Sequence, residues 1–174
     1  MSVAVVHVQS ASHWAEARRL VEEYAASLTF DLAFQDFDRE VRSLETEYGP
    51  PTGRFVLAAS HDAWIGCGGI RRFSDTECEM KRLYVRPSFR DRGAGRAIAL
   101  ALIAAAREAG YRRMLLDTTP SMAAAHQLYT SLGFTSSEPY RYNPIAGASF
   151  WQLQLPESRD PLKPLEPLEP LEPE

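Results

Sequence analysis

Glu79-Met80-Lys81-Arg82-Leu83-Tyr84-Val85-Arg86-Pro87-Ser88-Phe89-Arg90-Asp91-Arg92-Gly93-Ala94-Gly95 joins a strand to a glycine-rich helix start. Glu79 to Val85 reads as the strand, Arg86 to Arg92 as a loop, and Gly93 to Ala109 as a strong helix, with Gly110 at the C′ position. Free backbone N–H groups at a helix N-terminus bind anions, helped by the helix dipole. Gly93 and Gly95 let a phosphate approach the backbone because no Cβ stands in the way. Lys81, Arg82, Arg86, Arg90 and Arg92 in this window, with Arg96 next after it, face only Glu79 and Asp91, a local positive patch suited to a pyrophosphate or a 3′-phosphate.

Working outward, Val3 to Val8 reads as a first strand, and Ser12 as the cap of a helix from His13 to Ser27. A second helix is expected around Arg39 to Tyr48, before the break Gly49-Pro50-Pro51-Thr52-Gly53. Arg54 to Ser60, Trp64 to Arg71 and Glu79 to Val85 are closely spaced strands, as in an antiparallel meander. Beyond the glycine-rich helix come a buried strand from Arg113 to Thr118 and a helix from Met122 to Leu132, capped by Ser121 and closed by Gly133. An alternating strand from Ser149 to Leu155 follows. A strand–helix–strand crossover inside a mainly antiparallel sheet predicts a mixed α/β (α+β) fold with helices on both faces.

Gly93-Ala94-Gly95-Arg96-Ala97-Ile98 also approaches a dinucleotide-binding GxGxxG, with Asp117 in the place of the ribose-binding acid. The third glycine is Ile98, however, and seven residues separate Val85 from Gly93 where that turn is tight. No Gly-Lys-Ser/Thr follows, which excludes a P-loop. A second motif, Ala125-His126-Gln127-Leu128-Tyr129-Thr130-Ser131-Leu132-Gly133-Phe134, lies one strand and one helix later. Together the two motifs strongly resemble the GNAT superfamily of N-acetyltransferases. Arg90, Gly93 and Gly95 match its Arg/Gln-x-x-Gly-x-Gly/Ala pyrophosphate motif, and Leu128, Tyr129, Gly133 and Phe134 match its Leu-Tyr-x-x-x-Gly-Phe helix end. The resemblance is motif-level over residues 79–134 and extends by element order over about residues 3–155.

The resemblance implies acetyl-CoA as co-substrate and direct transfer of its acetyl group to the amine of a small molecule or peptide, through a tetrahedral intermediate. Backbone groups of Leu83, Tyr84 and Val85 would pair with the pantetheine arm. Arg90, Asp91, Arg92, Gly93, Ala94, Gly95 and Arg96 would surround the pyrophosphate. The Leu83 N–H is the candidate oxyanion donor. Tyr129 is the candidate acid for the departing thiolate, its reference pKa of about 10 keeping it protonated at neutral pH; packing beside the cofactor is its other reading. Many family members carry Asn seven residues before the Tyr; here that place is Met122, and Ser121 is a candidate substitute. Glu79 is the first candidate base for the amine, directly or through water, with a surface carboxylate paired to Lys81 or Arg82 as the alternative. Asp117 is the second candidate, with a strand-end hydrogen-bond partner as its other reading.

The whole chain of 174 residues carries a net charge of −4, and its basic excess is nil. Bulk electrostatic binding to nucleic acid is therefore not expected. Residues 1–155, expected to form the catalytic domain, hold 17 bases and 17 acids. The deficit sits in the tail, residues 156–174, a Pro-Leu-Glu repeat expected to be disordered, with a PxxP-type docking segment as the alternative. Nine acids and four arginines between Glu16 and Glu47 suggest a stretch attractive to a cationic amine, or a solvated helix face. The longest apolar run, Ala97 to Ala106, is too short for a membrane span, and no leader is evident. Cys67 and Cys78 make no zinc set with the four scattered histidines, so no metal is expected, and two reduced thiols fit a cytoplasmic protein.

The acceptor pocket is expected to draw on Leu28 to Tyr48 and Glu138 to Ala148, including Tyr140, Tyr142 and Asn143. A homodimer is implied by resemblance alone. The competing functions are a catalytically silent acyl-CoA-binding module whose tail recruits a partner, and a nicotinamide-dependent oxidoreductase.

Overall fold

Alternation along Arg54–Ser60 divides the core in two: Phe55 and Leu57 pack on one side of the sheet, Val56 and Ala58 on the other. The computed structural model describes residues 2–120 and 122–156. Among these, β1 (Ala4–His7), β2 (Arg54–Ser60), β3 (Ala63–Arg72), β4 (Glu77–Val85), β5 (Arg113–Thr118), β6 (Thr135–Ser136) and β7 (Ser149–Gln154) form one sheet. Their order is β1-β2-β3-β4-β5-β7-β6. Every neighbouring pair is antiparallel except β4 and β5, which the crossover makes parallel. The mixed, mostly antiparallel sheet agrees with the sequence reading.

Helix α1 (Ala11–Ser27) packs Trp14, Leu20 and Val21 on the Phe55 and Leu57 face, with α2 (Phe37–Arg42) and α3 (Leu44–Tyr48) beside it. Helix α4 (Ala94–Glu108) covers the opposite face through Ile98, Leu102 and Ala106, and α5 (Ala123–Ser131) adds Tyr129 there. The cap of α1 is Ser10, whose hydroxyl accepts from the His13 N–H at 3.2 Å, rather than Ser12. The single helix expected over residues 39–48 is two short ones. Ser43 separates them, its hydroxyl donating to the Arg39 carbonyl at 2.8 Å and competing with continued helix. No helix among the described residues is long and apolar enough to cross a membrane.

Two irregularities shape the centre of the sheet. First, β4 and β5 pair only at Glu77↔Arg113, Cys78↔Met114 and Glu79↔Leu115, then part. β5 remains paired with β7 along its length, so the remainder of β4 presents an edge to a gap. Second, the β3–β4 register slips by one residue between Gly69↔Lys81 and Cys67↔Tyr84, with Arg82 in the left-handed region at φ 61°. An extra residue in one strand of a pair is a β-bulge, and it reverses which face later side chains take. Cys78 and Met80 join the α4-side core before the bulge; Leu83 and Val85 pack against it afterwards.

Candidate functional site

The gap between β4 and β5 opens into two hollows. The first, of about 1100 Å³ including its open mouth, is lined by Leu83 and Val85 of β4, by Phe89, Arg90, Asp91 and Gly93 to Arg96 about the start of α4, by Met122, and by Ala125 and Leu128 of α5. Gly93 precedes α4 at φ 82°, a conformation suited to glycine, and no side chain caps the helix. A Cβ built on Gly93 would meet nothing within 4 Å, and one on Gly95 only Leu128 at 3.7 Å and Val85 at 3.8 Å. The helix start is thus open toward the hollow, as an anion-binding terminus requires. The residues present fit a phosphorylated, extended ligand. Backbone donors at residues 93–96 suit the phosphates, and the exposed edge of β4 suits a polar linear arm. The apolar wall of Leu83, Val85 and Leu128 suits its alkyl parts.

The second hollow, about 470 Å³ with its mouth, lies across the gap. Tyr24 of α1 and, from the segment between α1 and α2, Phe30, Leu32 and Phe34 form its apolar wall; Lys81, Arg82, Asp117 and Asn143 form its polar one. Met122 lines both hollows, so they adjoin there. Asp117 accepts a hydrogen bond from Asn143 Nδ2 at 2.9 Å. Lys81 is 6% exposed, and burial pulls its ammonium down to about 8, against the raising effect of the Glu79 carboxylate.

The expected positive patch does not exist as one surface. Arg82 is 4% exposed and turned into the helix layer, where Glu40 accepts from its Nε at 2.8 Å and its Nη2 at 2.6 Å. Arg86 forms a two-bond pair with Glu23 at 2.8 and 2.6 Å. Arg90, Asp91, Arg92 and Arg96 stand about the helix start, where Arg90 Nε donates to the Val85 carbonyl and Arg96 Nη1 to Ser131 Oγ, each at 3.0 Å. The acidic stretch of the first helices is correspondingly engaged, since Glu47 pairs with Arg71 at 2.8 Å. Opposite charges that looked separate in sequence are neighbours across the helix–sheet contact.

Glu79 is fully buried, not a surface carboxylate. Arg71, Lys81 and Arg141 stand 3.1, 3.8 and 2.7 Å from its oxygens, and it lines neither hollow. Asp117 lines the second. Leu83 lines the first directly after the bulge, with Tyr84 on the opposite face among the α1-side core. Tyr129 is nearly buried, its ring 5.5 Å from that of Phe134. Burial raises its hydroxyl's pKa, with Tyr24 and Asp117 contributing. Ser121 lies outside the described residues, as do residues 157–174, so the tail reading is untouched. Asn143 reaches the second hollow, whereas Tyr140 packs between Phe73 and Phe150 and Tyr142 is 77% exposed. His126 binds Thr118, Nε2 to Oγ1 at 2.6 Å. Cys67 and Cys78 are free, buried thiols.

Sequence reasoning missed Lys81 as a pocket residue, Met122 as the junction and Arg141 as a partner of Glu79. The first two were visible only as part of a basic run and as a departure from the expected Asn.

Comparison with known proteins agrees with this geometry. The model of the acetyltransferase (GNAT) family matches residues 14–134. An uncharacterised N-acetyltransferase of Schizosaccharomyces pombe is 37% identical over 140 residues, covering 79% of this chain and 86% of that protein. Among solved structures, a GNAT-family acetyltransferase of Staphylococcus aureus superposes with a TM-score of 0.71 at 18% identity, over 89% of this chain and 100% of that one. The Salmonella typhimurium acetyltransferase yncA, solved with its cofactor acetyl-CoA, superposes with a TM-score of 0.65 at 20% identity, over 92% and 98%. With its parted β4 and β5, bulged β4 and uncapped α4 start, the chain belongs to the GNAT family of acetyltransferases.

Proposed function

We propose that the protein transfers the acetyl group of acetyl-CoA directly to the amine of a small molecule or peptide. The observation that carries this reading is the pair of adjoining hollows on the two sides of the β4–β5 gap. One suits a phosphorylated chain and the other an acceptor. The acetyl-CoA held by the Salmonella relative supports the assignment of the first. When bound, acetyl-CoA supplies an activated acyl group as a thioester.

The chain's own residues then have three tasks. Backbone N–H groups at Arg92 to Arg96 hold the pyrophosphate at the dipole-positive end of α4. The Leu83 N–H, presented at the β4 edge after the bulge, stabilises the oxygen of the tetrahedral intermediate. An attacking amine must first lose a proton. Asp117 is the better-placed acceptor, directly or through water, because it lines the amine-side hollow while Glu79 is enclosed by three cations. Tyr129 donates a proton to the departing thiolate, its raised pKa keeping the hydroxyl protonated until then.

Thiol release from acetyl-CoA over an amine panel, beside calorimetric titration of acetyl-CoA, tests the reading. Turnover of an amine together with acetyl-CoA binding is expected. Absence of acetyl-CoA binding overturns the reading, and binding without release on any amine favours a module that holds acyl-CoA without chemistry.

A further inference from the structure

The polar wall of the acceptor hollow contains a buried ammonium that makes no hydrogen bond. Lys81 Nζ is buried and makes no hydrogen bond; the nearest carboxylate oxygen is Glu79 Oε1 at 3.8 Å. Glu79 takes a hydrogen bond from Arg71 on that same oxygen, and its other oxygen faces Arg141 Nε at 2.7 Å as an ion pair without a hydrogen bond. Removing a charge from water without a hydrogen-bonding partner is costly, so such a group marks a place where a partner arrives. The other cation on this wall, Arg82, is fully engaged by Glu40.

Asp117 stands opposite. The last paired residues of the two parallel strands are Glu79 and Leu115, and two residues farther along each strand lie Lys81 and Asp117. In strands of period two, both therefore point to the same face, now across the parted sheet. Each lines the same hollow, with Phe30, Leu32 and Phe34 opposite them. A cation and an anion separated by a gap and backed by an apolar wall have the charge pattern of a zwitterion's complement.

We propose that the acceptor is an α-amino acid with an apolar side chain. Its carboxylate is held by Lys81, its amine is turned toward Asp117 and the β4–β5 gap, and its side chain lies on the aromatic loop. This inference rests on the acetyl-transfer reading for the purpose of the amine, but the pocket's preference for a carboxylate is measurable without turnover.

The test titrates the CoA-saturated protein calorimetrically with L-leucine, L-methionine and L-phenylalanine, each beside its primary amide and its decarboxylated amine. At least one acid is expected to bind about 10-fold or more tightly than its amide and its amine, the scale of one charged hydrogen bond. Lys81→Met is expected to bring that ratio to about one, and Lys81→Arg to retain part of it. Equal or tighter binding of the amides and amines, an unaltered ratio in Lys81→Met, or no binding of any of the three acids overturns the proposal. The wild-type ratio needs no variant to fold. Thiol release is followed in parallel: acid-selective binding without release on any acceptor refutes acetyl transfer while sustaining the carboxylate assignment. Release confined to amines lacking a carboxylate does the reverse.

Discussion

Lys81 combines a long apolar stem, a buried ammonium and a place on a pocket wall, and these have a consequence for stability. Its pKa is lowered to about 8 in the folded protein from an ordinary value of 10.5, with burial as the main cause. The folded state thus binds fewer protons than the unfolded one between those values, and Lys81's contribution to stability rises with pH through that window. None of that gain is present at pH 7, where the charged side chain is held out of water. Lys81→Met, similar in length and without the charge, is expected to raise the melting temperature at pH 7 by about 2–6 °C, with the difference shrinking by pH 10. Tyr129 gives a residue-scale test of chemistry. Tyr129→Phe is expected to lower kcat about 100-fold with little change in acetyl-CoA affinity. An unchanged kcat would assign the ring to packing against Phe134 alone.

At the scale of elements, the start of α4 separates stability from ligand binding. Gly95 lies in the first turn at an ordinary helical φ, and its added Cβ would make only van der Waals contacts at 3.7 and 3.8 Å. Gly95→Ala is therefore expected to stabilise the fold by about 0.5–1 kcal/mol, since Gly is the weaker helix former. The same methyl enters the hollow lined by Gly93 to Arg96 and is expected to weaken acetyl-CoA binding by about 10-fold or more. Chemical denaturation and calorimetry on one preparation check both signs. The bulge in β4 is the second element-scale device. Glu79 and Lys81 lie on the α1 face, and Leu83 and Val85 are delivered to the α4 face, although all four are odd-numbered residues of one strand. A regular strand would have left Lys81 and Leu83 on the same face. Nothing in Lys-Arg-Leu-Tyr-Val announces the bulge, because Arg82 is a residue type that rarely takes a positive φ.

For the molecule as a whole, the helix layer of α1 to α3 is tied to the sheet by charge as well as by apolar packing. Glu40 of α2 receives two bonds from Arg82 of β4 and one from Tyr48 of α3 at 2.7 Å, all buried. Burial alone raises its pKa, but the Arg82 bonds and charge, helped by Tyr48, outweigh that and hold it at about 2. A carboxylate depressed in the folded state contributes stability that is complete above its unfolded value of 4.5 and is lost as pH falls toward 2. Melting temperatures recorded from pH 6 to pH 2 are expected to drop through this window, and Glu40→Gln to flatten the drop. Glu40→Ala is expected to cost about 3–5 kcal/mol, because it strands a buried guanidinium. A cost below about 1 kcal/mol in urea denaturation would show that water reaches Arg82.

Much of this protein was legible in its sequence because the information is local. Gly93-Ala94-Gly95 after a strand specifies an open helix start, Gly133 ends a helix, and alternation in Arg54–Ser60 specifies a two-faced strand. Each depends on residues a few positions apart, as backbone conformation and side-chain period do. The order of such elements was enough to reach the fold. The charges were misread for the complementary reason. Arg82 and Glu40 are 42 residues apart, and Arg86 and Glu23 are 63 apart, yet each pair is in contact. A basic run in sequence becomes a patch only if its partners stay away, and folding brought them together. The second hollow was decided in the same way. Lys81, Asp117 and Met122 come to line one hollow only because β4 and β5 part after Glu79 and β4 bulges at Arg82. Those are properties of strand pairing, which residues distant in the chain settle between them.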